Sequence, residues 1–253
     1  MPAILLDNVS KRFRKVVLRT GYTTLKTSLT RRFTGTGTPV EHVEALQGVT
    51  LTVPRGATVG IVGRNGSGKS TLIRLIAGIY RPDTGHVSTE GRVSALIELG
   101  AGFHPEFTGR ENVFISGIIV GLSKKQIRER FDEIVRFAGL EDFIDSPVRT
   151  YSSGMYMRLG FSVAVHVNPD VLLVDEVLAV GDESFVRKGL EKMNEFKRQG
   201  KTIVVAGHDL ALVERWCDAA ILLDKGRVTA DGSPSDVVAA YRASMEPDQT
   251  YLG

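Results

Sequence analysis

The chain has 253 residues, 42% hydrophobic and 24% charged, with a formal net charge of +3. These values are ordinary for a soluble globular protein, and the length fits one large α/β domain with a small inserted subdomain. The single cysteine, Cys217, excludes an internal disulfide and is more typical of a small buried side chain in a reducing compartment. The longest apolar run, Val113 to Leu122, is too short to cross a bilayer, and the N-terminus has no basic segment typical of a signal peptide. We therefore expect a cytoplasmic protein.

The charge is unevenly distributed. Between Asn8 and Val40 there is no Asp or Glu, whereas Lys and Arg contribute +8, which leaves about −5 (3 minus 8) for the rest of the chain. One local basic segment on a mildly acidic remainder indicates a specific anionic surface and argues against general nucleic-acid binding.

The first predicted strand covers residues 3 to 9, and a basic insertion follows at 14–38. From Leu18 to Phe33, apolar residues recur every three to four positions beside basic ones, which predicts a basic amphipathic helix, although several threonines weaken that prediction. Such a helix lies at a membrane surface, against a membrane partner, or on its own sheet, and the pattern leaves these possibilities open.

The stretch from Gly63 to Ser70 fits G-x-x-x-x-G-K-[ST], a loop that wraps nucleotide phosphates. It follows a predicted strand at 58–62 and precedes a predicted helix ending at Gly78, which is the context the motif needs. The glycines direct backbone N–H groups at the phosphates, and the helix N-terminus adds a positive dipole end. The predicted nucleotide-binding residues are Gly63, Arg64, Asn65, Gly66, Ser67, Gly68, Lys69, Ser70 and Thr71. Lys69 reaches the β- and γ-phosphates, and the Ser70 hydroxyl ligates Mg²⁺.

The remaining elements alternate. A strand is predicted at 45–53, turns at 82–85 and 91–92, and mainly helices from Thr108 to Val167, with capping boxes beginning at Thr108 and Ser123. Further strands are predicted at 171–176, 202–206 and 220–223, helices at 183–199, 209–216 and 234–243, and a hairpin-like turn at 224–227. This alternation predicts an α/β fold with a mostly parallel sheet covered on both faces, interrupted by a helical subdomain at 101–167.

Three polar sites follow predicted strands or begin a helix. Asp175 and Glu176 end one strand, where Asp175 is suited to hold Mg²⁺ and Glu176 to activate the attacking water. His208 follows the strand at 202–206 and is placed to contact the γ-phosphate or to orient Glu176. Ser152, Ser153 and Gly154 begin a helix and can offer N–H groups to an anion. Because the helical insert separates them from the phosphate loop, two chains related by a two-fold axis could complete each other's sites.

The order of phosphate loop, helical insert, serine–glycine turn, Val-Asp-Glu strand and histidine resembles the nucleotide-binding subunit of ABC transporters over residues 3–245. The resemblance implies a P-loop NTPase core (1–100 and 168–245) with an antiparallel β part on its N-terminal side, with ATP and Mg²⁺ as cofactors. By the same resemblance, Phe13 stacks on adenine, residues 151–155 form the signature, and Asp182 lies at the dimer seam. Glu98 stands near the position of the usual loop glutamine and is a candidate for its metal-binding role.

Three segments resemble one subfamily more closely: ELGAGFHPEFTGREN (98–112), YSSGMYMRL (151–159) and VDEVLAVGD (174–182). They are similar to the ATPase subunits that export O-antigen and related cell-surface polysaccharides, and to the teichoic-acid exporters. The resemblance implies a homodimer at the cytoplasmic face of the membrane, an integral-membrane channel subunit, and a lipid-linked polysaccharide as an indirect partner. Some relatives carry a C-terminal carbohydrate-binding domain, which we do not expect in a chain of this length.

Two other classes remain open: an ABC-type ATPase of DNA repair or translation, and a catalytically inactive regulatory module. The former class generally has a long coiled-coil insert or two nucleotide-binding domains, and neither is apparent here. The inactive module does not explain why Lys69, Asp175, Glu176 and His208 all occur together.

Overall fold

A computed structural model describes residues 1–15, 41–96, 100, 102–175 and 182–245. Within this part of the chain there are nine strands: β1 (Ile4–Lys15), β2 (Glu41–Val53), β3 (Thr58–Val62), β4 (Thr84–Thr89), β5 (Val93–Leu96), β6 (Val171–Asp175), β7 (Thr202–Ala206), β8 (Ala219–Asp224) and β9 (Arg227–Gly232). The same residues form seven α-helices: α1 (Lys69–Ile76), α2 (Gly109–Ile119), α3 (Lys124–Ala138), α4 (Ser153–Val165), α5 (Glu183–Arg198), α6 (Leu210–Trp216) and α7 (Pro234–Met245).

The larger sheet has the order β5-β6-β7-β3-β8-β9. Its first five strands are parallel, and β9 pairs antiparallel with β8. Every residue of β3 and β7 is buried, as expected for central strands of a parallel sheet with both faces covered. The predicted α/β class and mostly parallel sheet are confirmed.

The smaller sheet, with the order β2-β1-β4, is antiparallel and forms the predicted N-terminal β part. Strand β1 continues to Lys15, so the first two residues of the predicted insertion belong to the strand, and residues 16–40 lie outside the described part. The predicted turn at 82–85 is partly wrong, because β4 begins at Thr84 and pairs with β1. The sequence TGHVST is polar and half-exposed, so pairing with β1 determines the strand more than local preference does.

Helices α2, α3 and α4 surround an apolar core of their own, which includes Val113, Ile127 and Leu159. Both predicted capping boxes are present: Thr108 with Glu111, and Ser123 with Gln126. These reciprocal bonds satisfy amide groups that a helix start otherwise leaves unpaired. The exact boundaries between core and insert stay a prediction.

Two further predictions agree with the structure. The turn at 224–227 joins β8 and β9, with Lys225 and Gly226 at positive φ of 45° and 79°. Cys217 is partly buried, packs beside Gly60 against the edge of an apolar cluster, and burial raises the pKa of its thiol to about 12. Among the described helices, none combines the length and apolar character needed to span a bilayer.

His166, which follows α4, is a buried titratable side chain at the contact of the helical part with α5. Its Nδ1 donates to the carbonyl oxygen of Ser162 at 2.6 Å, and its Nε2 lies 3.4 Å from a Glu133 carboxylate oxygen. Burial lowers the pKa of His166, and the nearby Lys192 acts in the same direction, against the raising effects of Ser162 and Glu133. The folded chain therefore favours neutral imidazole.

This environment predicts acid-sensitive stability. The unfolded chain binds a proton at this histidine below the ordinary pKa of 6.5, whereas the folded chain resists it until the pH is lower. The contribution of neutral His166 to the free energy of unfolding should thus be fully present above pH 6.5. It should be lost as the pH falls toward the lowered pKa of the folded chain. Denaturant unfolding measures the free energy of unfolding at pH 7.5 and at pH 5.5. The decrease between the two pH values should be smaller for His166→Gln than for the unmodified chain. His86→Gln, which removes an exposed histidine, is the control. An equal pH slope in all three proteins would contradict the prediction.

Candidate functional site

A cavity of about 640 Å³ lies at the carboxyl end of β3 and β6, beside the start of α1. It brings together three separate parts of the chain: β2, the predicted phosphate loop and the end of β6. The lining residues are Val43, Glu44, Ala45, Asn65, Gly66, Gly68, Lys69, Ser70, Thr71 and Asp175. The carboxyl edge of a parallel sheet is where open α/β folds place their ligands.

Close backbone packing holds the loop in place. A Cβ atom at Gly63 would overlap the backbone oxygen of Leu223, and one at Gly68 would lie 2.6 Å from the backbone oxygen of Ala45. Gly68 also has a φ of 112°, a region that L side chains rarely adopt. Both positions therefore require glycine. Gly63 has no space for a Cβ atom, and Gly68 has neither the space nor a φ that other residues readily adopt.

Backbone hydrogen bonds connect the loop to both sheets. The amide of Gly226, in the β8–β9 hairpin, donates to the Ser67 carbonyl at 2.9 Å, and the amide of Gln47, in β2, donates to the Gly226 carbonyl at 2.8 Å. These two bonds fix the loop between the hairpin and β2.

Helix α1 begins at Lys69 directly after the loop, and its N-cap Gly68 provides no side-chain cap. The first-turn amides and the positive end of the helix dipole therefore point toward the cavity. The buried Lys69 ammonium donates to the carbonyls of Gly63 at 2.7 Å and Arg64 at 3.2 Å. A cation and unpaired amides in one cavity favour a polyanionic ligand.

Asp175 and Ser70 lie in this same cavity, as the sequence predicts. Asp175 is the last residue of β6 and is in register with Ala206 of the neighbouring β7. A carboxylate and a hydroxyl are hard oxygen ligands of the kind that Mg²⁺ takes beside water and phosphate oxygens. The donor set therefore fits magnesium.

His208 follows β7, which separates β6 from β3 in the sheet. It lines a neighbouring cavity of about 300 Å³, together with side chains such as Val174, Val186 and Leu190. The structure thus places His208 at the predicted edge but outside the lining of the phosphate-loop cavity. Its predicted contact with the γ-phosphate stays a prediction.

Phe13 is also absent from the cavity lining. Its ring meets that of Tyr80 edge-on at 5.4 Å, and the Lys11 ammonium lies 5.6 Å from the ring centre. Its cross-strand partner Val43 does line the cavity. The ring therefore lies one strand away from the rim of the cavity.

The signature residues lie in the helical part and do not line the cavity. Ser152 is the N-cap of α4 and accepts a hydrogen bond from the Met155 amide at 3.2 Å. Ser152 and Ser153 are exposed, and Gly154 is half-buried in the first turn. The start of α4 therefore presents its N-terminal groups on the surface.

Asp182 caps α5 by accepting hydrogen bonds from the Ser184 hydroxyl at 2.6 Å and the Phe185 amide at 3.0 Å. These two bonds hold the pKa of its carboxyl below the usual value. Arg158 of α4 lies 3.9 Å away, so the N-terminus of α5 faces the helix that begins at the signature.

Sequence reasoning did not identify Val43, Glu44 and Ala45 as lining residues. They carry no motif, and only the pairing of β2 with β1 and its contact with Gly68 brings them there. Two predicted site residues, Glu98 and Glu176, lie outside the described residues.

Comparison with known proteins gives independent information on the family and fold. A family model described as ABC transporter matches residues 46–179. The chain is 56% identical to the O-antigen export system ATP-binding protein RfbB of Myxococcus xanthus, over 97% of this chain and 56% of the relative. It is 45% identical to the RfbB of Klebsiella pneumoniae, over 79% of this chain and 82% of the relative. It is 48% identical to the teichoic acids export ATP-binding protein TagH of Bacillus cereus, over 80% of this chain and 37% of the relative. The chain thus spans little more than half of the Myxococcus protein.

Solved structures show the same fold. The ATP-binding subunit of an ABC transporter superposes with a TM-score of 0.73 and 26% identity, covering 96% of this chain and 95% of that one. A dimeric ATP-binding cassette in a post-hydrolysis state, bound to ADP and Pi, gives a TM-score of 0.71 and 23% identity, covering 91% and 98%.

The packing at Gly63 generates a prediction for Gly63→Ala. The added methyl group would overlap the Leu223 backbone, so the loop must shift, and we expect the free energy of unfolding to fall by about 1–3 kcal/mol. Gly66→Ala is the matched control, since it has open space and only a positive φ of 79°, with a cost of about 1 kcal/mol. Chemical denaturation measures both. An equal or larger loss for Gly66→Ala would contradict the packing explanation.

Proposed function

Because the chain belongs to the ABC transporter family, we propose that it is the ATP-hydrolysing motor subunit of an exporter of a lipid-linked cell-surface polysaccharide. One observation carries the ATPase role: a single cavity holds Lys69, Ser70 and Asp175, which come from two different strand ends. The export role is supported by the O-antigen export relatives.

The triphosphate binds along the loop, with Lys69 at the β- and γ-phosphates. Its ammonium exchanges the carbonyls of Gly63 and Arg64 for phosphate oxygens, and the first-turn amides of α1 add hydrogen bonds. The adenine lies toward β1 and β2, where Phe13 can stack on it. Lys11, held by Asp83 at 3.0 Å, lies over the Phe13 ring.

Ser70 and Asp175 would hold Mg²⁺. The ion would neutralise negative charge that develops on the transferred phosphoryl group. Glu98, predicted as a further ligand, would add a third oxygen ligand to this set.

Glu176, one residue after Asp175, is the proposed general base that accepts a proton from the attacking water. His208, which follows the adjacent strand β7, would orient Glu176 or contact the γ-phosphate. The two neighbouring acids therefore have different proposed roles: Asp175 would hold Mg²⁺, and Glu176 would accept the proton from the attacking water.

Each site needs a second copy of the chain. Ser152, Ser153 and Gly154 are at the surface of the helical part and do not line the cavity of their own chain. Two copies facing each other would place this turn of one against the phosphates of the other, with Asp182 at the seam. A structurally similar cassette is described as dimeric. Closure around ATP and reopening after hydrolysis would drive the membrane subunit.

The partner of this motor is an integral-membrane channel subunit, so the chain works at the cytoplasmic face of the cytoplasmic membrane. Residues 14–33 would contact anionic head groups or the pyrophosphate of the lipid-linked substrate. The TagH relative supports teichoic acid as a second candidate cargo. Co-purification with a membrane protein, rather than with ribosomes or DNA, separates an exporter from a soluble ABC-type ATPase.

The general-base role predicts that Glu176→Gln binds ATP normally and hydrolyses it at least about 100-fold more slowly. Calorimetric binding and phosphate release measure the two effects separately. Glu191→Gln, an exposed residue of α5, is the control with the same chemical change. Glu176→Gln loaded with ATP should also elute as a dimer. Retention of most of the turnover would contradict the assignment of the base.

The membrane contact predicts an effect of reversing Lys26, Arg31 and Arg32 to Glu. Binding to vesicles with anionic lipid, or export in cells, should fall, while basal ATPase activity stays unchanged, because attraction to the anionic surface becomes repulsion. Reversal of Lys124, Lys125 and Arg128, exposed on α3, is the control with equal charge change. Unchanged binding and export in the first variant would remove this proposal.

A further inference from the structure

Two tyrosines flank the serine–glycine turn at the start of α4. Ser152 is the N-cap of this helix, so Tyr151 occupies the position before the cap and Tyr156 the fourth position of the helix. Side chains at these two positions set the direction in which a chain enters a helix. Both tyrosines are half-buried against the apolar core of the helical part, whereas Ser152 and Ser153 between them are exposed. The exposed turn is therefore bounded on each side by a ring that packs on this core.

The Tyr151 hydroxyl reaches the loop that follows α3. It donates a hydrogen bond to the Phe143 carbonyl oxygen at 2.8 Å. The same hydroxyl lies against Gly109, the first residue of α2, where a Cβ atom would be only 2.2 Å from the hydroxyl oxygen. This loop and the start of α2 therefore hold the end of the turn at which the chain enters α4.

Tyr156 is held by a different segment, the loop that follows β5. Its hydroxyl donates to the Gly100 carbonyl oxygen at 3.0 Å, and its ring meets that of Phe103 edge-on at 5.0 Å. Gly100 has a φ of 78°, and a Cβ atom there would lie 2.4 Å from the Tyr156 ring. The loop approaches this ring so closely because residue 100 is glycine.

The two hydroxyl groups add direction to the packing of the rings. Phenylalanine would fill nearly the same space at both positions, but apolar packing has no preferred direction, whereas a hydrogen bond requires aligned donor and acceptor. Two bonds to separate segments restrict the backbone between them. A turn that is ordered before association loses less conformational entropy when a ligand or partner binds.

We propose that Tyr151 and Tyr156 are positioning residues, whose hydroxyl groups hold the turn at 152–154 in the conformation that meets the phosphates of a second copy. This inference rests on the proposed function, in which each nucleotide lies between two copies. It adds the side chains that prepare the turn for that contact.

The test compares Tyr151→Phe and Tyr156→Phe in the Glu176→Gln background, in which ATP should hold two copies together. Analytical ultracentrifugation at saturating ATP gives the dissociation constant of the dimer. Each substitution should raise this constant about tenfold, because one lost hydrogen bond corresponds to a factor of roughly three and a dimer contains two turns.

Calorimetric binding of ADP to the single chain separates positioning from general damage. It should be unchanged in both variants, since neither tyrosine lines the phosphate-loop cavity of its own chain. A role in stability alone would lower the free energy of unfolding and leave the dimer constant unchanged.

Tyr241→Phe is the matched control. It removes the same hydroxyl from a half-buried tyrosine of α7, which packs against a different apolar cluster, and it should leave the dimer constant unchanged. An unchanged constant in Tyr151→Phe or Tyr156→Phe, or a rise accompanied by an equal loss of ADP binding, would overturn the role of that tyrosine and leave the proposed function intact. Absence of an ATP-dependent dimer in Glu176→Gln itself would instead overturn the proposed sharing of each nucleotide by two copies.

Discussion

The close contact of the phosphate loop with β2 and the β8–β9 hairpin is the constraint on which the site depends. Gly63 lies against Leu223, Gly68 lies against Ala45, and the amide of Gly226 bonds to the Ser67 carbonyl. Backbone packs on backbone here, so a single methyl group disturbs it. Because both sheets hold the loop, the orientation of the N-terminus of α1 is fixed. The position of Lys69 relative to a phosphate bound in the loop is therefore fixed as well.

The order of strands in the large sheet then decides which groups meet. Strand β7 lies between β6 and β3, and all three run parallel, so the residues that follow them collect at one edge. Asp175 reaches the cavity of the loop, whereas His208 lies in the neighbouring one. The helical part has a separate core, and its exposed turn at Ser152 does not line the cavity. This separation is the physical reason for proposing that two copies share each nucleotide.

The two sheets meet at the proposed nucleotide site. In that proposal the large sheet would supply the groups for phosphate and metal, and the small sheet places Val43 at the cavity, with Phe13 on the neighbouring strand. Strand β1 holds both Phe13 and Arg12, and Asp83 anchors the neighbouring Lys11 and the Arg12 amide.

Much of the chemistry could be predicted from the sequence alone. Local sequence patterns predicted the phosphate loop, both capping boxes and the apolar strands at 58–62 and 202–206. Such features depend on residues that are neighbours in the chain, so the sequence contains the information needed to predict them. Strand β4 and the lining residues Val43 and Glu44 could not be predicted in this way, because a polar or motif-free segment acquires its role from the strand beside it. Whether His208 and Phe13 face the phosphate-loop cavity also depends on packing between distant elements. The residue types thus determined that a nucleotide phosphate can bind, and the tertiary structure decided which other side chains surround it.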